Sequence, residues 1–297
     1  MKTLDSSRNF LAIDKEYSNL EDSKIVIVSA PYEHTVSYGK GASFGPEEIL
    51  KASAFVEFYD DEFDRELCFD VGITTLEPLD FNNLINEDAL FLIEKTVSNL
   101  IDLDKFVITL GGEHTISSAP ILSHFKKYPD MCLLHFDAHS DLRDSYEGSK
   151  YSHASVMARV CEFFPPERIV QVGIRAQCKE EADFIKEKKI KTFYSSAIRR
   201  KIHGENWQKQ IVNSLGDLIY ISFDVDYFDP SIIPATGTPE PDGFLYSETL
   251  DIFREINKAG KKIIGFDVVE LSKIEGLSHP SLTTARLIYK LLNFAFK

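Results

Sequence analysis

The chain has 297 residues and a formal net charge of −14, with 43% hydrophobic and 27% charged residues. That balance is one of a globular chain whose acidic surface repels nucleic-acid backbones and anionic membranes and suits a small cationic partner. Residues 1–18, MKTLDSSRNFLAIDKEYS, contain no apolar leader, no apolar run reaches membrane-spanning length, and four scattered cysteines without a CxxC pair fit a reducing compartment, so a cytoplasmic protein is expected.

Taken in chain order, residues 1–23 form an N-terminal extension, and KIVIVSAP at 24–31 is the first β-rich run. GKGASFGPEEIL at 39–50 is a Gly-rich loop entering a helix, with Pro46 suited to the first turn and Glu47 and Glu48 at the positive end of its dipole. It matches neither glycine pattern that cradles phosphate, and its two glutamates oppose an anion. A helical pattern follows at 87–102 (EDALFLIEKTVSNLID), then strand FVITLGG at 106–112, helix PILSHFKKYP at 120–129 and strand MCLLHFDA at 131–138. Strand RIVQVGI at 168–174, helix EEADFIKEKK at 180–189, strand LIYISFDVD at 218–226, helix SETLDIFREINKAG at 247–260 and strand KIIGFDVVE at 262–270 continue the alternation. Repeated β-α units without a linker predict one α/β domain over residues 1–297, built on a central, mostly parallel sheet covered on both faces.

Three of these strands end in metal-ligand chemistry. The strand at 106–112 runs into His114, that at 131–138 into Asp137, His139 and Asp141, and that at 218–226 into Asp224 and Asp226. Alternate residues of a strand point the same way, and open parallel sheets bind ligands beyond the carboxyl ends of their strands. Gathering four carboxylates there without counter-charge incurs desolvation and mutual repulsion, which two divalent cations relieve. Four aspartates with two histidines are too rich in oxygen for structural zinc and carry too much nitrogen for ordinary Ca²⁺ or Mg²⁺ cages. Two Mn²⁺ ions match best, with Fe²⁺, Co²⁺, Ni²⁺ and Zn²⁺ remaining open, and paired ions of this kind activate water for hydrolysis.

GGEHT at 111–115, DAHSDLRD at 137–144, SFDVDYFDPSIIPATGTPEPDG at 222–243 and DVVELS at 267–272, with GASFGP at 41–46, resemble the ureohydrolase (arginase/agmatinase) family across roughly residues 24–295. The resemblance implies a three-layer α/β/α arginase-like fold. It also implies one Mn²⁺ held by His114, Asp137, Asp141 and Asp224 and a second by Asp137, His139, Asp224 and Asp226. Glu270 resembles the carboxylate that binds the substrate guanidinium, His153 the histidine that shuttles protons near the leaving amine, and Asp141 would pass a proton to that amine. Homo-trimers or hexamers are implied as well.

DLRDSYEGSKYSHAS at 141–155 and TGTPEPDG at 236–243 read like the agmatinase branch, whose reaction converts agmatine to putrescine and urea in polyamine biosynthesis. Asp242 stands where that branch usually has glycine. N1-aminopropylagmatine, guanidinobutyrate, guanidine and arginine share the same chemistry, as do formiminoglutamase and proclavaminate-type activities. A catalytically silent binding protein on the same scaffold is the alternative of a different class. His135 shares strand parity with Asp137 and is expected to pack in the sheet, and Trp207 to lie on an amphipathic helix.

Overall fold

The computed structural model describes residues 1–297. Eight strands, β1 (Ile25–Ala30), β2 (Ile73–Thr75), β3 (Phe106–Gly111), β4 (Cys132–Phe136), β5 (Ile169–Val172), β6 (Lys191–Phe193), β7 (Leu218–Asp224) and β8 (Lys262–Val269), form one sheet. Its order is β2-β1-β3-β8-β7-β4-β5-β6 and every strand pairing is parallel. Ten α-helices supply the crossovers: α1 (Gly45–Ser53), α2 (Leu67–Val71), α3 (Asn86–Asp102), α4 (Ser118–Lys127), α5 (Val156–Val160), α6 (Lys179–Lys188), α7 (Ser195–Arg199), α8 (Trp207–Asn213), α9 (Tyr246–Lys258) and α10 (His279–Ala295).

Strand alternation divides the apolar side chains between two faces. Ile25 and Ile27 of β1, Leu134 and Phe136 of β4 and Ile219, Ile221 and Phe223 of β7 join the larger core under α1, α2 and α7–α10. Val26 and Val28 instead meet α3, while Leu133 and Tyr220 meet α4, α5 and α6. The result is a parallel sheet covered on both faces, as the alternation of elements predicts, in the three-layer α/β/α architecture that the family resemblance implies. All six apolar runs become strands; β2 and β6, three residues each at the two sheet edges, are additional. Trp207 opens α8 and is buried, as its helical setting suggests.

The residues before β1 are packed against the body of the protein. Phe10, Leu11 and Ile13 are buried in the larger core, and burying a Phe side chain contributes on the order of 2–3 kcal/mol. Asn9 adds polar ties, its Nδ2 donating to the Ile73 carbonyl and its Oδ1 accepting from the Thr75 amide.

On the face covered by α3–α6, one layer of the sheet is polar across five adjacent strands. Register pairs Gln171 with His135, His135 with Ser222, Ser222 with Asp267 and Asp267 with Thr109. All five are buried. Two residues further along β4 and β7, in the same orientation, lie Asp137 and Asp224, so this row forms the floor beneath the clustered strand ends. No helix of the protein is long and apolar enough to cross a membrane.

Candidate active site

Beyond β3 the chain turns immediately through GGEH. A Cβ on Gly112 would lie 2.1 Å from the Tyr32 carbonyl oxygen, so only glycine permits this approach. The turn places His114 against the ends of β4 and β7. Its Nδ1 lies 3.1 Å from Asp137 Oδ2, 3.0 Å from Asp141 Oδ2 and 3.3 Å from Asp224 Oδ2. A second group forms beside it, with His139 Nδ1 2.9 Å from Asp226 Oδ2 and 3.6 Å from Asp137 Oδ1. Asp137 therefore presents one oxygen to each group. Asp224 presents Oδ2 to the first, while its Oδ1 accepts the Asp226 amide at 2.8 Å. All six residues expected as ligands converge on this place.

Hydrogen bonding shows how the first histidine is prepared. Tyr220 and Ser117 donate to Asp267 at 2.8 Å, and Ser222 donates to it at 2.9 Å. With its proton committed to Asp267, the Ser222 hydroxyl accepts from His114 Nε2 at 3.1 Å. The Nδ1 lone pair is then left facing three carboxylate oxygens, and the buried Nδ1 makes no hydrogen bond with any of them. A cation satisfies that arrangement, and oriented imidazole with carboxylate and hydroxyl support is the usual surrounding of a metal-ligating histidine. The six donors thus fit two divalent metal ions.

Electrostatics agree. Burial raises the Asp141 carboxyl, with Asp137 adding to the effect, and raises Asp224 well above the carboxylate range, helped by Asp226 and Asp137. At Asp137 burial is outweighed by His114, His135 and His139, which hold it well below the usual range. The His114 ring is raised well above an ordinary imidazole despite its burial, because Asp137, Asp141 and Asp224 surround it. Without cations this cluster draws protons, which is the response of carboxylates short of counter-charge.

His135 does more than fill the sheet. It is fully buried as expected, but its Nε2 lies 2.9 Å from Asp137 Oδ2. Gln171 accepts from Thr192 through Oε1 and donates through Nε2 to the Ser140 carbonyl, so the same Nε2, 3.2 Å away, donates to His135 Nδ1. His135 Nε2 must then carry the proton donated to Asp137, which makes His135 a support of that ligand and not a metal donor.

A cavity of about 230 Å³ opens over the cluster, lined among others by Asp141, Asp224, Asp226, Glu181, Glu240 and Glu270, with Arg143 the only guanidinium in its wall. Glu270 follows β8 in a left-handed conformation (φ 64°), and Asp141 shares that conformation (φ 54°). Such backbone is costly for residues other than glycine and recurs at functional positions. Glu270 Oε1 accepts the His114 amide at 2.6 Å. Burial pushes its carboxyl up to about 8, with Glu113 and Asp226 acting in the same direction. His153 also lines the cavity, its Nδ1 3.3 Å from Thr35 Oγ1.

Several supporting residues carried no local signal in the sequence. Arg175 spreads its guanidinium over five carbonyls, those of Gly173, Asp226, Tyr227, Phe228 and Glu240, and so folds the segment after β7 around the site. Glu181 holds the turn after His139 by accepting from Ser140 Oγ and the Leu142 amide. Asp242 adopts φ 66°, a conformation glycine enters freely and aspartate tolerates. It lies outside the cavity wall, its carbonyl accepting from Ser195 and its Oδ1 3.5 Å from Arg199 Nε.

A buried Asp/His cluster at the strand ends of an α/β/α sheet, beneath a carboxylate-lined cavity, defines the class of metal-dependent hydrolases. The sequence profile of the arginase family matches residues 23–293, and the chain belongs to that family. It is 36% identical to the N(1)-aminopropylagmatine ureohydrolase of Synechocystis over 92% of this chain and 89% of that one. It is 37% identical to the agmatinase of Bacillus cereus over 88% of this chain and 87% of the relative. The crystal structure of the agmatine ureohydrolase of Thermoplasma volcanium superposes with a TM-score of 0.85 at 28% identity, covering 100% of this chain and 94% of that one. The protein is thus an arginase-family ureohydrolase, a hydrolase of guanidino C–N bonds close in sequence to agmatinases.

Proposed function

We propose that the protein hydrolyses agmatine to putrescine and urea with two Mn²⁺ ions held by His114, Asp137, His139, Asp141, Asp224 and Asp226. The observation that carries this reading is the placement of Glu270 in the cavity wall directly beside the cluster, its Oε1 already bonded to the His114 amide. A carboxylate that burial, with Glu113 and Asp226 nearby, makes reluctant to ionise gains a matched partner in a planar guanidinium. Bound divalent ions supply a water of lowered pKa as nucleophile at this place. Glu270 orients the guanidinium carbon over the cluster, Asp141 takes up a proton beside it and passes it to the departing amine, and His153 in the cavity wall shuttles protons near that amine. Glu240, partly exposed in the same wall, offers a carboxylate to the second cation of the substrate.

N1-aminopropylagmatine is the second reading, favoured by the 36% identity to the Synechocystis enzyme of that name. It differs from agmatine only by a longer cationic tail, so the same cluster and Glu270 serve it. Urea release is measured with Mn²⁺-loaded protein on agmatine, N1-aminopropylagmatine, guanidinobutyrate, guanidine and arginine. The highest kcat/KM is expected for agmatine. A preference for arginine overturns the substrate assignment, and absence of urea from every compound with metal bound overturns the enzymatic one.

A further inference from the structure

Glu113, the third residue of GGEH, is fully buried beside a metal ligand but points away from the cluster. Its Oε2 accepts the backbone amides of His34 at 2.7 Å and Thr35 at 2.6 Å. Its Oε1 accepts the hydroxyls of Thr35 at 2.9 Å and Thr115 at 2.7 Å. Thr35 is in turn the residue that meets His153, receiving the His153 amide at 3.2 Å and facing its Nδ1 at 3.3 Å.

Resting on the shuttle role proposed for His153, we infer that Glu113, acting through the Thr35 hydroxyl, fixes His153 as its Nδ1–H tautomer and so reserves Nε2 for proton exchange in the cavity. A hydroxyl has one proton and two lone pairs, whereas a carboxylate only accepts. Were Thr35 to donate to His153 Nδ1, its oxygen and Glu113 Oε1 would face each other at 2.9 Å with no proton between them. Donation to Glu113 removes that repulsion and leaves two lone pairs on Thr35, one for the His153 amide and one for Nδ1–H. Every donor and acceptor of the three side chains is then used except His153 Nε2. Glu113 and Thr35 are positioning residues here, since neither is placed against the reacting atoms.

Glu113→Gln gives an inversion that simple loss of structure cannot imitate. The two amides on Oε2 require an oxygen there, so the Gln NH₂ falls at the Oε1 position and donates to Thr35, whose proton then turns to His153 Nδ1 and forces the Nε2–H tautomer. Long-range ¹H–¹⁵N spectra of the full chain loaded with diamagnetic Zn²⁺, with the His153 signal assigned from His153→Asn, read this directly. Nδ1–H is expected in the wild type and Nε2–H in Glu113→Gln, while the same tautomer in both overturns the inference. In Mn²⁺ turnover, Thr35→Val is expected to lower kcat about 10- to 100-fold with KM and metal content within about threefold, and Thr35→Ser to restore most of it. If His153→Asn is impaired while Thr35→Val keeps wild-type kcat, the positioning role fails alone. If His153→Asn itself turns over normally, the shuttle role fails, and the spectra still decide the tautomer.

Discussion

Removing one hydroxyl below the site should weaken metal binding without touching any ligand. Ser222 accepts from His114 Nε2 at 3.1 Å and donates to Asp267 at 2.9 Å, with both residues and His114 buried. Ser222→Ala leaves the Nε2–H without an acceptor, a desolvation cost of about 1–3 kcal/mol for a buried group. The metal-free imidazole, which three carboxylates hold protonated on Nδ1, relieves that cost by giving up its Nε2 proton, and the lone pair needed by the metal stays blocked. Restoring the metal-binding tautomer then costs what that proton loss relieved, so affinity should fall about 10- to 100-fold. Ser117→Ala is the matched control: Ser117 donates to the same oxygen of Asp267 at 2.8 Å but its hydroxyl makes no hydrogen bond to the His114 ring. Competition between metal-free protein and a chromophoric chelator for Mn²⁺ measures both variants. Ser117→Ala should stay within about threefold of wild type, and equal affinities in the two variants would refute the tautomer reasoning.

Two other expectations concern substrate and pH. Glu270→Gln should lower kcat/KM on agmatine by about 10- to 100-fold, the value of one charge-assisted hydrogen bond, at unchanged metal content; wild-type kcat/KM would remove Glu270 from substrate binding. His124 on α4 is buried against Tyr220, its Nδ1 2.8 Å from the Pro120 carbonyl, and burial lowers its pKa from 6.5 to about 4. Its folded pKa lies below the unfolded one, so its contribution is complete above pH 6.5 and is lost as pH falls toward 4, by about 2 kcal/mol at pH 5 and about 3 kcal/mol below pH 4. Urea unfolding of wild type and His124→Leu at pH 8 and 5 should show that difference in slope, and parallel pH dependences would contradict it.

What was legible in the sequence follows how local each signal is. Six central strands announce themselves as apolar runs because both faces are covered, and the candidate metal ligands and Glu270 sit within a few residues of a strand end. The edge strands Ile73–Thr75 and Lys191–Phe193 are too short for such a pattern, and only pairing with β1 and β5 makes them strands. Strand parity at the end of β4 suggested that Asp137, His139 and Asp141 converge, and GGEH and DVD on neighbouring strands gave that pattern its meaning, although Asp141 has left strand geometry (φ 54°). The hydrogen-bonded partners around the site could not be read in this way: Glu113 meets Thr35 across 78 positions, and Ser117 meets Asp267 across 150. His135 illustrates the boundary, since parity aimed it correctly but only Gln171 on the next strand reveals which nitrogen carries its proton. At Asp242 the departure from glycine was visible, whereas its placement outside the cavity wall depends on a backbone angle and a distant arginine.

The polar layer running through Gln171, His135, Ser222, Asp267 and Thr109 also bears on how the chain reaches its native state. These residues meet only when five strands align in one register. A slip of a single residue on β4 or β8 reverses which side each side chain faces and drives His135 or Asp267 into the apolar core beneath α8–α10. An unpartnered polar group there costs several kcal/mol, and an ionised one more. Misaligned sheets are thereby penalised during assembly by the very groups that later organise the catalytic floor, so fidelity of folding and readiness for metal are secured by the same row of atoms.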